Sequence, residues 1–586
     1  MRRSKPLAAL AGAALLTLAA CGGSGDSGGD SEVKGDFEQA ASGFAKDPEA
    51  QGPAPEVPGA TEGGTLTVYA QGDPGPNSLD PTEGWSVLGN SIQQAYMNRS
   101  LTQYMRDPDT GQFLLVPDLA TDLGRPNSDF TEWTFTLRDG VKWEDGKPVT
   151  PEELAFGIQR SLDSDTFPAG PGTEYSKTYF LDADTYKGPY TDKGVDYQGI
   201  TVDGNDITIK MSKPFPDMDW WGSFMAMGPA PLGKVSDPPA YGKHPLSTGP
   251  YKIESFRSSE ELVMVKNDQW DPATDPARHQ YADKVVIKFN QDPNKTDQVM
   301  LSGNTDAQTG ISIGINSANY QKFQDTVGDR LVKQSAQCTN YTTPDYTKIT
   351  DINIRKAIAY AIPYEDVWTV GGEIPGVTRV PANTLMPPGM AGRKDFYVDG
   401  EQITYNPDKA KQLLADAGVT GQYKLTNVYY EPDPLARDTQ KVMVEGMKAA
   451  GFDLTGIPVE VSPYDIWLNP DDKTNKKLNL RGVNWCSDWP SGLTMLPPIA
   501  KTGAAYNTAQ FSEKAVDDKM ESITTLPLDE QPGAWGDLDE EISTQYFPII
   551  PTAYRNEMLV YGEKVGAFYG DPAFGAPYYK DLFVKQ

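Results

Sequence analysis

Two residue spacings recur along this chain, and each belongs to a different kind of element. Ile354, Ala357, Ile358 and Ala361 fall at i, i+3, i+4 and i+7, as do Ala410, Leu413, Leu414 and Ala417, so each stretch carries one apolar face at helical pitch. Gly418 follows the second stretch, where a helix end favours a left-handed residue. Around them, residues 207–211, 285–289 and 425–429 are short, largely apolar runs that read as strands. Helices and strands mixed in this way bury their apolar faces against one another in layers, so the chain is predicted to be α/β. At 586 residues it exceeds what one compact core supports, and two or three domains are expected.

Finer signals agree. Gly64-Thr65-Leu66-Thr67-Val68-Tyr69 alternates as a strand does, and residues 85–104 have helical character. Asp107-Pro108-Asp109-Thr110-Gly111 is a turn, and Trp133-Thr134-Phe135-Thr136-Leu137 is a strand that breaks at Arg138-Asp139-Gly140. Residues 141–146 resemble a hairpin leading to a capped helix, with Thr150 as N-cap, Pro151 as the first helical residue and Glu153 closing a capping box.

Charge and composition narrow the function. Eighty-one acids against 52 bases give a formal charge of −29, which repels nucleic acid and anionic lipid. Two histidines, His244 and His279, leave little for a zinc hydrolase or a Ser-His-Asp triad, and no Gly-x-x-x-x-Gly-Lys-Ser/Thr phosphate loop occurs. No metal, cofactor or catalytic residue is expected. Arg2, Arg3 and Lys5 precede an apolar run at 7–20 that is too short to span a bilayer, and together they read as a signal peptide over 1–20. Its end, Leu18-Ala19-Ala20-Cys21, looks like a bacterial lipobox, with Cys21 as the lipidated first residue of the mature chain. Residues 21–62, rich in Gly, Ser, Pro and acids, read as a disordered tether spanning about 35 Å. The expected location is therefore the outer face of the cell membrane, held by lipid. Cys338 and Cys486 remain, as a disulfide or as two buried thiols.

Residues 482–490, Gly-Val-Asn-Trp-Cys-Ser-Asp-Trp-Pro, follow a run that reads as a strand over 478–483. They set Asp488 between the indoles of Trp485 and Trp489, at a strand end where α/β crevices lie. Aromatic faces and a carboxylate suit a cationic, amphipathic guest. The alternative is a buried tryptophan pair beside a surface aspartate.

An ordered series of motifs resembles the extracytoplasmic solute-binding proteins of ABC importers, family 5, the oligopeptide and dipeptide type. The series runs from Gly64-Thr65-Leu66-Thr67-Val68 and Ser78-Leu79-Asp80-Pro81 to Val116-Pro117-Asp118-Leu119-Ala120 and the stretch at 133–150. It continues through Ser247-Thr248-Gly249-Pro250-Tyr251, Asn267-Asp268-Gln269-Trp270 and residues 302–307, and closes with residues 353–361 and 406–414. The resemblance implies a two-lobed periplasmic-binding-protein-like fold of type II, class C, with an extra inserted domain and a hinge between lobes. Lobe one would be 63–94, 224–337 and 551–586, the insert 95–223, and lobe two 338–550.

The same resemblance supplies roles. Trp485-Cys486-Ser487-Asp488 matches the family's Trp-Cys-Ala-Asp type of motif, which makes Asp488 the receiver of a peptide's α-ammonium and pairs Cys486 with Cys338. After it the chain departs from the family pattern with Trp489-Pro490-Ser491-Gly492, so that pocket wall is expected to differ. Tyr464 and Tyr554 fall where relatives put aromatic contacts, and ordinary packing at strand ends is their other reading. The implied function is non-enzymatic: a monomer captures a short peptide by cleft closure and delivers it to a membrane permease. Rival readings keep the fold and change the guest to a glycan, a nickel complex, haem or an opine. Others make the protein a signalling receptor or a secreted glycan hydrolase.

Overall fold

Strands from both ends and the middle of the chain meet in one mixed sheet. Its members, in chain order, are β1 (Thr65–Gln71), β2 (Tyr251–Arg257), β3 (Glu261–Lys266), β4 (Lys284–Gln291), β5 (Gly310–Ile313), β6 (Leu331–Pro344), β7 (Arg379–Pro381), β8 (Leu480–Cys486) and β9 (Ile550–Tyr561). The spatial order is β8-β6-β9-β5-β1-β4-β3-β2, with β7 added to β9. β1 lies parallel to β4 and β5, and the other pairs are antiparallel. The computed structural model describes residues 44–586. The leader, the Cys21 lipidation site and the first part of the tether lie outside the described residues.

The long strands β6 and β9 carry the chain from one half of the sheet to the other. They pair from Leu331↔Val560 to Thr342↔Ile550, with register shifts between Ser335 and Thr339 and between Asn340 and Tyr341. On one side, Leu66, Val68, Ile253, Val285 and Ile287 form a core of their own. On the other, the helices Ile352–Ala361, Pro407–Asp416 and Pro434–Ala449 pack with a parallel strand pair, Tyr423–Tyr430 and Phe452–Val459, around Ala357, Ile358, Leu414 and Phe452. The apolar faces read from the sequence are the faces buried here, and Gly418 takes a φ of 75° just past its helix.

Between β1 and β2 the chain builds a four-stranded sheet from Arg125–Pro126, Glu132–Thr136, Asp206–Lys210 and Ile200–Asp203. The helix Pro151–Arg160 opens on the expected capping box: Glu153 N–H donates to the Thr150 hydroxyl, and the Glu153 carboxylate accepts from the Thr150 N–H. A buried ion cluster fastens this unit to the first half of the main sheet. Asp118 accepts from Arg99 Nε at 2.7 Å and from Arg278 Nη2 at 2.9 Å, and Asp275 pairs with Arg278 at 3.2 Å. Burial alone would raise the Asp275 pKa, yet the guanidiniums of Arg278 and Arg99 hold its carboxyl well below the usual carboxylate range.

Two expectations need correction. The helix expected across 85–104 covers only Val87–Tyr96, and Thr102–Arg106 is instead a strand paired with Phe113–Pro117 across the Asp107–Gly111 turn. At the helix end Arg278 takes the Gln94 and Asn98 carbonyl oxygens, and Arg99 is committed to Asp118. The tether read through residue 62 is ordered from Phe44 onward. Phe44 packs its ring on Tyr104, Phe113 and Trp220, its strand Phe44–Lys46 pairs with Phe113–Pro117, and Pro55 O meets His279 Nε2 at 3.0 Å. Composition missed this because one aromatic anchor and a strand edge suffice to order a polar segment. Among the described residues no helix is long and apolar enough to cross a membrane.

Arg278→Met would leave Asp118 and Asp275 buried with half their counter-charge. It should lower stability by about 3–5 kcal/mol in urea unfolding, and a loss under about 1 kcal/mol would contradict a structural role for the cluster.

Candidate ligand-binding site

β8 and β6 run antiparallel with Cys338 directly opposite Cys486, and the two are joined as a disulfide with Cα atoms 4.0 Å apart. The bond clamps the end of β8, and the next residue continues the hold, since Ser487 N–H donates to Gln337 O at 2.9 Å. The turn beyond is closed on itself. Thr494 Oγ1 lies 2.7 Å from Ser487 Oγ and 2.9 Å from Trp489 O, while Trp485 Nε1 donates to Thr494 O at 2.7 Å. Asp488 projects from this braced turn.

Its carboxylate meets donors from far away in sequence. Trp85 Nε1 donates to Oδ1 at 2.8 Å, and the Tyr175 hydroxyl donates to Oδ2. Burial raises Asp488 from the ordinary aspartate value to about 6, and the hydrogen bonds from Tyr175 and Trp85 offset only part of that rise. Burial and the facing Asp488 also push the Tyr175 phenol well above its usual value, so it stays a donor.

Asp488 borders a chamber of about 300 Å³ lined also by Trp85, Trp485, Tyr506, Phe224 and the disulfide. A second chamber of about 550 Å³ shares Val87, Ala336, Phe574 and both cysteines with the first, so the two adjoin. The second also carries Asp73, Arg555 and Glu557. Behind the lining of the first chamber, Asn90 Oδ1, both polar atoms of the Gln337 side chain and Asn484 Oδ1 are buried with no hydrogen-bond partner within the protein. Leaving such atoms unmatched costs on the order of 1–3 kcal/mol each.

Of the residues singled out in the sequence, Asp488, Trp485, Cys486 and Cys338 come together at this chamber. Trp489 does not line it. Its ring is buried against Tyr175, Phe215, Trp221 and Phe224, with Nε1 donating to Asp217 Oδ2 at 2.7 Å. The second indole at the acid is Trp85, which offers its N–H edge. Tyr464 stands behind the wall, its hydroxyl accepting from Asn484 N–H at 2.6 Å and its ring on Trp467. Tyr554 is buried, its hydroxyl accepting from Thr384 N–H at 3.0 Å, and lines neither chamber. Trp85, Tyr175 and the unmatched amides carried no local signal, because their role depends on segments distant in sequence.

The sequence profile of the bacterial extracellular solute-binding proteins, family 5 Middle, matches residues 115–507. The chain belongs to this family. It is 24% identical over 473 residues to the periplasmic oligopeptide-binding protein OppA of Salmonella typhimurium, covering 78% of this chain and 83% of that protein. It is 22% identical over 520 residues to the dipeptide-binding protein DppE of Bacillus subtilis, covering 86% and 89%. Among solved structures, the clavulanic acid biosynthesis oligopeptide binding protein 2 superposes with a TM-score of 0.80 at 22% identity, covering 93% of this chain and all of that one. The protein is thus a solute-binding component of the kind that serves ABC importers, and its fold is the two-lobed α/β fold of that family. Family 5 solute-binding proteins are non-enzymatic transport components.

The raised Asp488 pKa has a stability consequence. A carboxyl whose folded pKa lies above its unfolded value stabilises the fold fully below about pH 4, and that contribution is lost as pH rises through about 6. Guest-free unfolding of wild type and Asp488→Asn should therefore diverge, with the wild type losing on the order of 2 kcal/mol relative to the variant between pH 4 and 7. A flat difference would contradict a buried, desolvated carboxylate.

Proposed function

We propose that this protein captures short peptides in the adjoining chambers, with the peptide's α-ammonium on Asp488, and hands them to a membrane permease. The observation that carries this reading is the buried Asp488 carboxylate at the border of a chamber. A carboxylate has about four acceptor sites, and Trp85 and Tyr175 occupy two, so an ammonium can join them without displacing either. Neither donor is a counter-charge, and an ammonium would supply one through a charge-assisted bond.

In this reading the chain divides into lobe one at 63–94, 224–337 and 551–586, an insert at 95–223, and lobe two at 338–550. The hinge would be the paired β6 and β9, whose register shifts mark where the ladder can flex. Asp488 and Trp489 would bring lobe two against Trp85 of lobe one and Tyr175 of the insert. The free protein populates this closed arrangement, and a guest that binds it better than the open one shifts the population further toward it. The protein would act as a monomer, anchored outside the cell through lipid on Cys21.

Calorimetry with Ala-Ala-Ala tests the ammonium anchor. Asp488→Asn should weaken binding by about 2–5 kcal/mol, N-acetylation of the tripeptide should cost a similar amount, and the two losses should not add. Unchanged affinity in Asp488→Asn would remove the acid from the site. Cys21→Ser should release the protein from cells into the medium, and continued membrane retention would count against the lipid anchor.

A further inference from the structure

A separate cavity of about 480 Å³ lies on the other side of Tyr175 from the Asp488 chamber. One wall comes from residues 174–179 and 213–214 and the other from residues 493–525, so it is enclosed only where these two distant segments meet. Much of the lining is apolar, with Leu493, Pro497, Met520 and the ring of Tyr179 facing in. Its volume falls within the range of pockets that enclose small organic ligands.

Four charged side chains reach this space, and they are not all paired. Lys501 and Glu521 bind each other at 3.0 Å. Glu174 and Lys213 line the same cavity, and among the described residues neither forms a contact ion pair. The Lys213 ammonium rests 4.7 Å from the Tyr179 ring centroid. Burial and then the charge of Asp488 raise the Glu174 carboxyl, while burial and then Lys501 lower the Lys213 amine. Glu174 and Lys213 each offset part of the other's burial, and Glu521 and Asp184 add to this for Lys213, but neither charge has an opposite charge in contact. A guest with one cationic end, one anionic end and an apolar body supplies both.

We propose that this cavity is a second binding site that takes a short apolar zwitterion of dipeptide size, with its ammonium on Glu174 and its carboxylate on Lys213. The site does not depend on the assignment of Asp488. Tyr175 separates the two, its ring lining this cavity and its hydroxyl bonded to the acid of the other. Both sites would be completed by the same approach of distant segments, so occupation of either would favour the arrangement that binds the other.

The test is calorimetric titration of the full chain with leucylleucine, with thermal melts confirming that each variant folds. Wild type should take two equivalents. Glu174→Gln and Lys213→Gln should each weaken one of them at least tenfold, and Asp488→Asn should weaken the other. In the Asp488→Asn background, N-acetyl-leucylleucine and leucylleucinamide should bind at least tenfold less well than leucylleucine. The proposal is overturned if that background shows no millimolar binding, or binding that neither Glu174→Gln nor Lys213→Gln alters. If instead Asp488→Asn changes nothing while Glu174→Gln removes an equivalent, the second site stands and the ammonium role of Asp488 falls.

Discussion

The carboxylate of Asp488 joins three parts of the chain, and the candidate site depends on how it is held. Its backbone is fixed by the Cys338–Cys486 disulfide and the closed turn beyond β8, while its oxygens reach Trp85 and Tyr175, which lie 403 and 313 residues away in sequence. Two neutral donors satisfy hydrogen-bond geometry but leave the negative charge uncompensated. Burial then lifts the pKa to about 6, so near neutral pH the acid is mostly ionised at a cost in solvation energy. A buried charge without a counter-charge favours a cationic neighbour. The buried cluster of Arg99, Asp118, Asp275 and Arg278 is the opposite case, since its charges cancel within the protein and serve to hold two units together.

The cleft beyond the acid continues the same logic with neutral groups. Asn90, Gln337 and Asn484 leave buried amide atoms without protein partners beside its wall. The second chamber is lined by Asp73 and by the Arg555–Glu557 ion pair. Such walls recognise the common features of a class of molecules. Relatives at similar identity carry names as different as oligopeptide-binding protein and heme-binding protein A, so fold alone does not specify the guest.

Much of the architecture was legible because it rests on local patterns. The Thr150 capping box, the apolar faces around Ile358 and Leu414, the left-handed Gly418 and the strands at Lys284–Gln291 and Tyr423–Tyr430 each follow from spacing within a dozen residues. What was not legible came from long-range contacts. Nothing near Arg99 announces its partner Asp118 or the bonds that Arg278 makes to Gln94 O and Asn98 O, and nothing near Phe44 announces Trp220. At the site, the pattern around Asp488 located the acid, but not which indole would face it. Trp489 is adjacent in sequence yet turns into the aromatic cluster of Phe215 and Trp221, and Trp85 arrives in its place.

The central claim is that Asp488 is a desolvated acid lacking a counter-charge until a guest ammonium arrives. Its carboxyl pKa, followed by carbon-13 NMR through the difference between wild type and Asp488→Asn, reports this directly. The account predicts a value near 6 in the free protein and a fall of at least about one unit with bound tripeptide, because a neighbouring cation favours the ionised form. A pKa that is ordinary in the free protein, or that does not move when the peptide binds, would contradict it.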